Sequence, residues 1–124
     1  MFLFLNFGSI FRILDNSGAR QVKVIKNITK NVIRYKQPHI FLVAVKVSVP
    51  LKKVAVKELH KALIATSRNW FSRFDGTFYR FSFTGMIIIN DRFLPIGTRI
   101  LNFVSAELKT KRFFKIASLA KGLL

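Results

Sequence analysis

The sequence predicts a mainly β protein, a small antiparallel barrel with a C-terminal helical segment, in a single domain of residues 1–124. Short apolar or alternating runs fill residues 8–104 and lie too close together for helical crossovers, which favours antiparallel strands that close into a barrel. A helical spacing of apolar residues occurs only in residues 105–124. A length of 124 residues is typical of one domain with its own core.

Short runs predict the individual strands. The apolar segment Met1–Phe7 is expected to be a first strand or its lead-in, because it is too short to span a bilayer and no basic residue precedes it. Valines then recur at every second position from Val43 to Val49, as in a strand with one buried face. The other predicted strands are Gln21–Lys26, Leu59–Thr66 and Met86–Ile89.

Three glycine-containing segments predict turns. Asn16, Ser17 and Gly18 have turn chemistry, so Gly18 is expected to adopt a positive φ where the first two strands join. Pro95-Ile96-Gly97 is expected to interrupt the sheet, so that Thr98 and Arg99 emerge on a turn. Asp75-Gly76 is a hairpin signal, since both residues tolerate the backbone of a two-residue type I′ loop.

The predicted hairpin suits contact with nucleic acid. A two-residue loop would pair Phe71 with Arg80 and Arg73 with Phe78, and these four side chains would share one face. Arginines mixed with aromatic rings are typical of surfaces that contact phosphates and bases. Trp70, Tyr79, Phe81 and Phe83 would share the other face and join the core, unless a bulge reverses the two faces.

The tail has the pattern of a helix. Ser105 is a suitable cap, and Glu107 in the first turn would favour the positive end of the helix dipole. One apolar face follows from the i, i+3, i+4, i+7 spacing of Phe113, Ile116, Ala117 and Ala120.

The charge predicts a polyanionic partner. There are 22 Lys and Arg against 5 Asp and Glu, a net charge of +17, while 51% hydrophobic residues exclude a disordered chain. So many positive charges on a small body repel one another unless a partner neutralises them. Nucleic acid is the leading interpretation, and an anionic membrane surface is the alternative; membrane insertion is not expected.

The residues of an active site are not found. There is no cysteine, which excludes disulfides, Fe–S clusters and thiol catalysis. The histidines, His39 and His60, lie in separate segments, and the five acids are scattered. Glu58 and His60 could share a strand face, but a solvated strand edge is favoured over a metal pair without a third ligand. We therefore predict no enzyme, no cofactor, no metal and no small-molecule substrate.

Several motifs resemble the universal large-subunit ribosomal protein fourteen family. They are Leu14-Asp15-Asn16-Ser17-Gly18-Ala19-Arg20, Arg34-Tyr35, Asp75-Gly76-Thr77, Pro95-Ile96-Gly97-Thr98-Arg99-Ile100 and the tail from Glu107 to Ala120. They keep the family's order from about Ile10 to the end. The sequence departs from the family at Pro38-His39, where a Gly-Asp pair is usual, and at Arg80–Thr84. These departures are expected to change the loop geometry more than the fold.

The resemblance implies a five-stranded barrel that binds large-subunit rRNA where the two subunits meet. It implies contact with small-subunit rRNA in an intersubunit bridge, neighbouring large-subunit ribosomal proteins, and docking of a ribosome-silencing factor on Thr98, Arg99 and Lys115. Phe and Ile enrichment without an import sequence favours a mitochondrial ribosome, with the gene in the organelle; a plastid or the bacterial cytoplasm is the alternative. The residues expected to contact rRNA are Arg20, Lys23, Arg34, Lys36, Lys52, Lys53, Arg68, Phe71, Arg73, Phe78 and Arg80.

Two other functions remain open at this point. The chain could be a free single-stranded RNA-binding barrel protein outside the ribosome, or a peripheral membrane protein that uses Met1–Phe7 and the basic tail.

Overall fold

Five strands form a closed barrel. In this computed structural model the described residues are 8–28, 40–50, 52–66, 68, 71–72, 76–108 and 113–123. The barrel order is β1-β2-β3-β4-β7, which confirms the predicted mainly β barrel. Its strands are β1 Ile10–Ile13, β2 Ala19–Asn27, β3 Ile40–Ser48, β4 Leu59–Thr66 and β7 Gly85–Ile89. Met1–Phe7 lies outside the described residues.

The barrel closes through a parallel pair. Neighbouring strands are antiparallel at four seams, as expected, but β1 and β7 run parallel, with Arg12 opposite Gly85 and Ile13 opposite Met86. A ring with an odd number of strands cannot reverse direction at every step, so at least one seam must be parallel. The expectation of a wholly antiparallel barrel is therefore wrong at this seam.

Side chains of β4 and β7 are buried on both faces of the sheet. Ala62 and Met86 point into the barrel, where they pack with the valines of β2 and β3. Leu63 and Ile87 point outward and pack beneath the C-terminal tail in a second cluster. Strands covered on both faces have continuous apolar runs rather than alternation, which explains the composition of these two strands.

Alternation on β3 ends before the strand does. Val43 and Val45 are buried, but Val47 is 43% exposed. The β2–β3 pairing has irregularities around Gln21, where Gln21 is opposite Val47 and Val22 is opposite Val45. A bulge places an extra residue on one strand and turns the following side chains. The valines at alternate positions of β3 are therefore not all buried on one face, although their spacing predicts that they would be.

The tail is only partly helical. A 3₁₀ turn at Ala106–Leu108 follows Ser105, and the helix α1 spans Phe114–Leu119. Phe113 and Ile116 are buried against the outer face of the barrel, as the predicted apolar face requires. A short strand, β9 Gly122–Leu123, then pairs in parallel with β8 Phe103–Val104, which the sequence did not predict.

The register of the small hairpin differs from the prediction. Strands β5 Phe71–Ser72 and β6 Phe78–Tyr79 pair Phe71 with Tyr79 and Ser72 with Phe78. This register is one residue away from that of a two-residue loop, and a slip of one residue exchanges the faces of a strand. The prediction that Phe71 and Phe78 share a face is therefore wrong. Asp75 lies outside the described residues, whereas Gly76 has the expected positive φ of 87°.

Within the described part of the chain, no helix has the length and apolar character required to cross a bilayer.

Candidate nucleic-acid interface and docking surface

One side chain joins two loops that are distant in sequence. Asn16 lies in the turn between β1 and β2, and its Oδ1 accepts the backbone N–H groups of Thr98 at 2.8 Å and Arg99 at 3.0 Å. Its Nδ2 donates to Thr98 Oγ1 at 2.9 Å, and its backbone N–H donates to the Arg99 carbonyl. These bonds give Asn16 a structural role, since they hold the turn after β1 against the loop that carries Thr98 and Arg99.

A buried carboxyl lies beside this joint. Asp15 Oδ1 accepts hydrogen bonds from the hydroxyl of Ser17 at 2.8 Å and from its N–H at 3.3 Å. Asp15 Oδ2 is buried without a hydrogen-bond partner among the described residues. Burial raises the pKa of the Asp15 carboxyl above its ordinary value, and the hydrogen bonds from Ser17 oppose that rise.

Two glycines allow the loops to approach each other. Gly18 has a φ of 111°, which confirms the predicted positive φ, and a Cβ placed there would collide with Cβ of Lys52. Gly97 does not have a positive φ, and its requirement is space: an added Cβ would lie 2.8 Å from Asn16 Oδ1 and 3.1 Å from the Ser17 nitrogen. Gly97 is therefore needed for close packing rather than for an unusual backbone.

Thr98 and Lys115 line the same open cavity, of about 370 Å³. Arg99 follows Thr98 in the chain and is exposed, but it does not contribute to the lining. Lys53, predicted to contact rRNA, is also in this cavity, and its Nζ donates to the Ile96 carbonyl at 3.3 Å. We call this cavity the docking surface; its remaining lining residues are Leu94, Pro95, Ile96, Gly97 and Leu119.

A folded-back loop forms one wall of the docking surface. Asn90 Oδ1 accepts the N–H groups of Arg92 at 2.8 Å and Leu94 at 3.0 Å, and the Asn90 N–H donates to the Leu94 carbonyl. Phe93, at a positive φ of 63°, packs edge-on against Phe113 with ring centroids 5.9 Å apart. The loop and α1 are thus held together, which fixes Leu94 relative to Lys115.

The predicted rRNA-contacting cations lie at the surface wherever they are described. They are spread over β2, the segment after β3, the end of β4 and the segment after β6; the exposed ones are Arg20, Lys23, Lys52, Lys53, Arg68 and Arg80. Phe78 is 67% exposed. Arg34, Lys36 and Arg73 lie outside the described residues, and Phe71 is described only by its backbone pairing.

The outward-facing acids whose side chains are described already have partners. Glu58 Oε1 accepts the Ala55 N–H at 2.7 Å and lies 3.3 Å from His60 Nε2. The Ala55 N–H, followed by His60, lowers the pKa of the Glu58 carboxyl. Asp91 lies 3.2 Å from Lys61 Nζ. Glu58 is exposed just before β4 and His60 is half-buried within it, and the described residues contain no group of three potential metal ligands.

Two further residues were not among those predicted to contact a partner. The Arg12 guanidinium lies 3.9 Å from the centroid of the Phe83 ring, at a second open cavity of about 470 Å³ that Arg68 also lines. Phe83 is half-buried and packs against the second core cluster. Arg12 and Phe83 are far apart in sequence, and no residue pattern predicted that β1 would meet the segment before β7 at this point.

The chain matches a known protein family. The family model described as "Ribosomal protein L14p/L23e" matches residues 4–124, nearly the whole chain.

Proposed function

The chain belongs to the ribosomal protein L14p/L23e family, and from that premise we propose that it binds large-subunit rRNA on the face that meets the small subunit. Membership makes it a structural protein of the large ribosomal subunit, in a family of structural proteins rather than enzymes, whose partners are rRNA and other ribosomal proteins. The proposal also includes the particular rRNA contacts, the bridge to small-subunit rRNA and the docking of a silencing factor.

The distribution of charge is the observation that carries it. The chain has 22 Lys and Arg and only 5 acids. Of the acids, Asp15 is buried, Glu58 is paired with His60 and Asp91 with Lys61. Few carboxylates therefore remain to neutralise the basic surface from within, and an external polyanion is required. In a ribosome that polyanion is rRNA.

Phosphate contacts make binding depend on salt, and this gives the test. The logarithm of the binding constant should fall linearly with the logarithm of salt concentration, with a slope that reports the number of phosphates neutralised. We expect the full-length chain to bind an rRNA fragment with a steep slope, which Lys52→Ala reduces by about 0.7–0.9. An affinity that stays constant between low and moderate salt would contradict the proposal.

A matched control separates phosphate contact from net charge. Lys61→Ala removes the same charge as Lys52→Ala, but Lys61 is already paired with Asp91 at 3.2 Å. Its removal should leave the salt slope nearly unchanged. Equal effects of the two variants would indicate a diffuse response to charge rather than contacts at defined lysines.

The docking surface supports a second role. Thr98 and Lys115 lie together in a cavity whose lining includes Leu94, Ile96 and Leu119. Aliphatic area with a lysine at its rim suits a protein partner that supplies apolar and acidic side chains. We propose that the silencing factor docks here, with Arg99 at the edge of the surface.

The location within the cell is also proposed. The family places the chain in a ribosome. Its 14 phenylalanines in 124 residues favour a gene of AT-rich composition, which supports a mitochondrial ribosome over a plastid or bacterial one.

A further inference from the structure

An open cavity on the outside of the barrel combines a stacked arginine with a second arginine. Its volume is about 470 Å³, within the range of cavities that hold small molecules. Arg12, Gln21, Arg68, Phe83 and Thr84 are among its lining residues. Arg12 and Gln21 are directly opposite each other in the β1–β2 register, so β1 and β2 form one wall, and the segment before β7 forms another.

The Arg12 guanidinium lies over an aromatic ring. It lies 3.9 Å from the centroid of the Phe83 ring, which is cation–π distance, while the rest of Arg12 is exposed. Contact with a ring face uses none of the N–H donors of an arginine, which point outward from the edge of its plane. The contact with the ring therefore leaves the N–H donors of Arg12 available at the cavity.

The Phe83 platform is itself fixed by hydrogen bonds. Thr66 Oγ1 donates to the Phe83 carbonyl at 3.2 Å and accepts the Gly85 N–H at 2.9 Å. Beside it, the Arg68 N–H donates to Thr84 Oγ1 at 3.2 Å. These bonds tie the end of β4 to the segment that carries Phe83, so the backbones of Phe83 and Arg68 are positioned before any ligand binds.

The chemistry of the cavity selects the ligand. Two of its lining residues are arginines and none is acidic, and neither arginine has a salt bridge within the described part of the chain. A ligand that matches it has a planar ring to stack beside Arg12 and Phe83 and a negative charge for Arg68. Unpaired RNA nucleotides carry both, and RNA-binding proteins recognise them by stacking on aromatic rings and guanidinium planes.

We propose that this cavity binds one unpaired nucleotide of RNA, with its base beside the Arg12–Phe83 stack and its phosphate at Arg68. The inference rests on the proposed function, because rRNA is the partner that would present the nucleotide.

The test uses the full chain and a short single-stranded RNA that carries one 2-aminopurine, whose fluorescence falls on stacking. Binding should quench the fluorescence, and an RNA with an abasic site at that position should bind roughly tenfold more weakly. Arg12→Ala should remove the quenching. Arg12→Lys should also reduce it, because a lysine keeps the charge but lacks the plane. Phe83→Leu is a second variant, with thermal unfolding as a check on its fold.

A control variant and the possible outcomes separate a failure of the nucleotide site from a failure of the proposed function. Arg92→Ala removes an exposed arginine outside the cavity and should leave the quenching unchanged. If RNA binds with the expected salt dependence but quenching is absent, or if Arg12→Ala behaves like Arg92→Ala, the nucleotide site is overturned while the proposed function stands. If the RNA does not bind at all, the proposed function fails as well. Arg12-dependent binding of an acidic, tyrosine-containing peptide, with Arg12-independent binding of RNA, would assign the cavity to a protein instead.

Discussion

Asn16 and Thr98 are 82 residues apart in the chain, yet two hydrogen bonds of 2.8 and 2.9 Å join them. One uses the oxygen of the Asn16 amide and the other its nitrogen, so the amide is held in one orientation. Asn16 is in the turn that starts β2, and Thr98 lines the docking surface. The motif that contains Asn16 and the motif that contains Thr98 therefore meet in space. The turn after β1 holds Thr98 in its position at the docking surface.

Asn16→Ala should destabilise the protein by about 0.5–1.5 kcal/mol, because the exposed N–H groups of Thr98 and Arg99 lose their acceptor to water. Asn16→Asp keeps that acceptor and should cost less. Urea unfolding of the three proteins measures the difference. Wild-type stability of the alanine variant would show that the joint between the loops is unimportant.

Gly18→Val should impair folding, since it combines a left-handed backbone with a collision at Lys52. Even Gly18→Ala should cost about 2–5 kcal/mol, from about 1–2 for the backbone and about 1–3 for the overlap. Gly76→Ala is the matched control: its φ is also positive, but among the described residues, chain neighbours apart, no atom lies within 4 Å of the added carbon. It should cost only about 1–2 kcal/mol. Equal thermal shifts for the two alanine variants would argue against close packing at Gly18.

Asp15 should make stability fall as the pH rises. Its pKa is raised in the folded protein, so between the unfolded value near 3.8 and the higher folded value the native state binds more protons. The contribution of Asp15 to the free energy of unfolding is complete below pH 3.8 and is lost as the pH rises through the pKa of the folded state. Asp15→Asn cannot titrate, so the stability of the wild type relative to this variant should decrease over that window in urea titrations.

Glu58 supplies a control of opposite sign for that experiment. Its pKa is lowered, so its contribution is present above the unfolded value of 4.5 and is lost as the pH falls through the folded value. The stability of the wild type relative to Glu58→Gln should therefore increase with pH. If the comparison with Asp15→Asn also increased, the assigned effect of burial on Asp15 would be wrong.

Reversal of charge at the docking surface should abolish binding of the silencing factor. Lys115→Glu should lose binding at least as completely as Arg99→Glu, because Lys115 lines the cavity and Arg99 does not. The measurement is a pull-down of the factor on purified large subunits that carry each variant, with Lys46→Glu, at an exposed lysine of β3 outside the cavity, as a control of equal charge change. Undiminished binding would contradict the docking role, and failed subunit assembly would favour phosphate contact.

Local patterns predicted those parts of the fold that depend on local chemistry. The strand Leu59–Thr66 and the positive φ of Gly18 follow from an apolar run and from a turn sequence. The hairpin register was wrong because the Asp75-Gly76 signal indicates a turn but does not fix its length. Nothing local predicted the pairing of Gly122–Leu123 with β8, since contacts between distant segments depend on how the tail folds over the barrel.

The candidate sites, like the fold, can be predicted where a local motif indicates the residue but not where only a contact between distant segments does. Thr98 and Lys115 were named from motifs, and the structure brings them to one cavity. Arg12 was overlooked, because its significance comes only from its contact with Phe83, about seventy positions along the chain. Lys53 is predicted to contact phosphate on charge alone, and its bond to the Ile96 carbonyl, which places it in the same cavity as Thr98, has no counterpart in that pattern.

Sedimentation of native ribosomal particles tests the central claim most directly. Extracts are separated on a density gradient, the large-subunit fraction is washed in high salt, and the chain is followed by an antibody or by mass spectrometry. We predict that it remains with the large subunit after the wash, because contacts buried between protein and rRNA are screened less than exposed ones. Recovery of the chain at the top of the gradient, or with membranes, would contradict its place as a structural component of the large subunit.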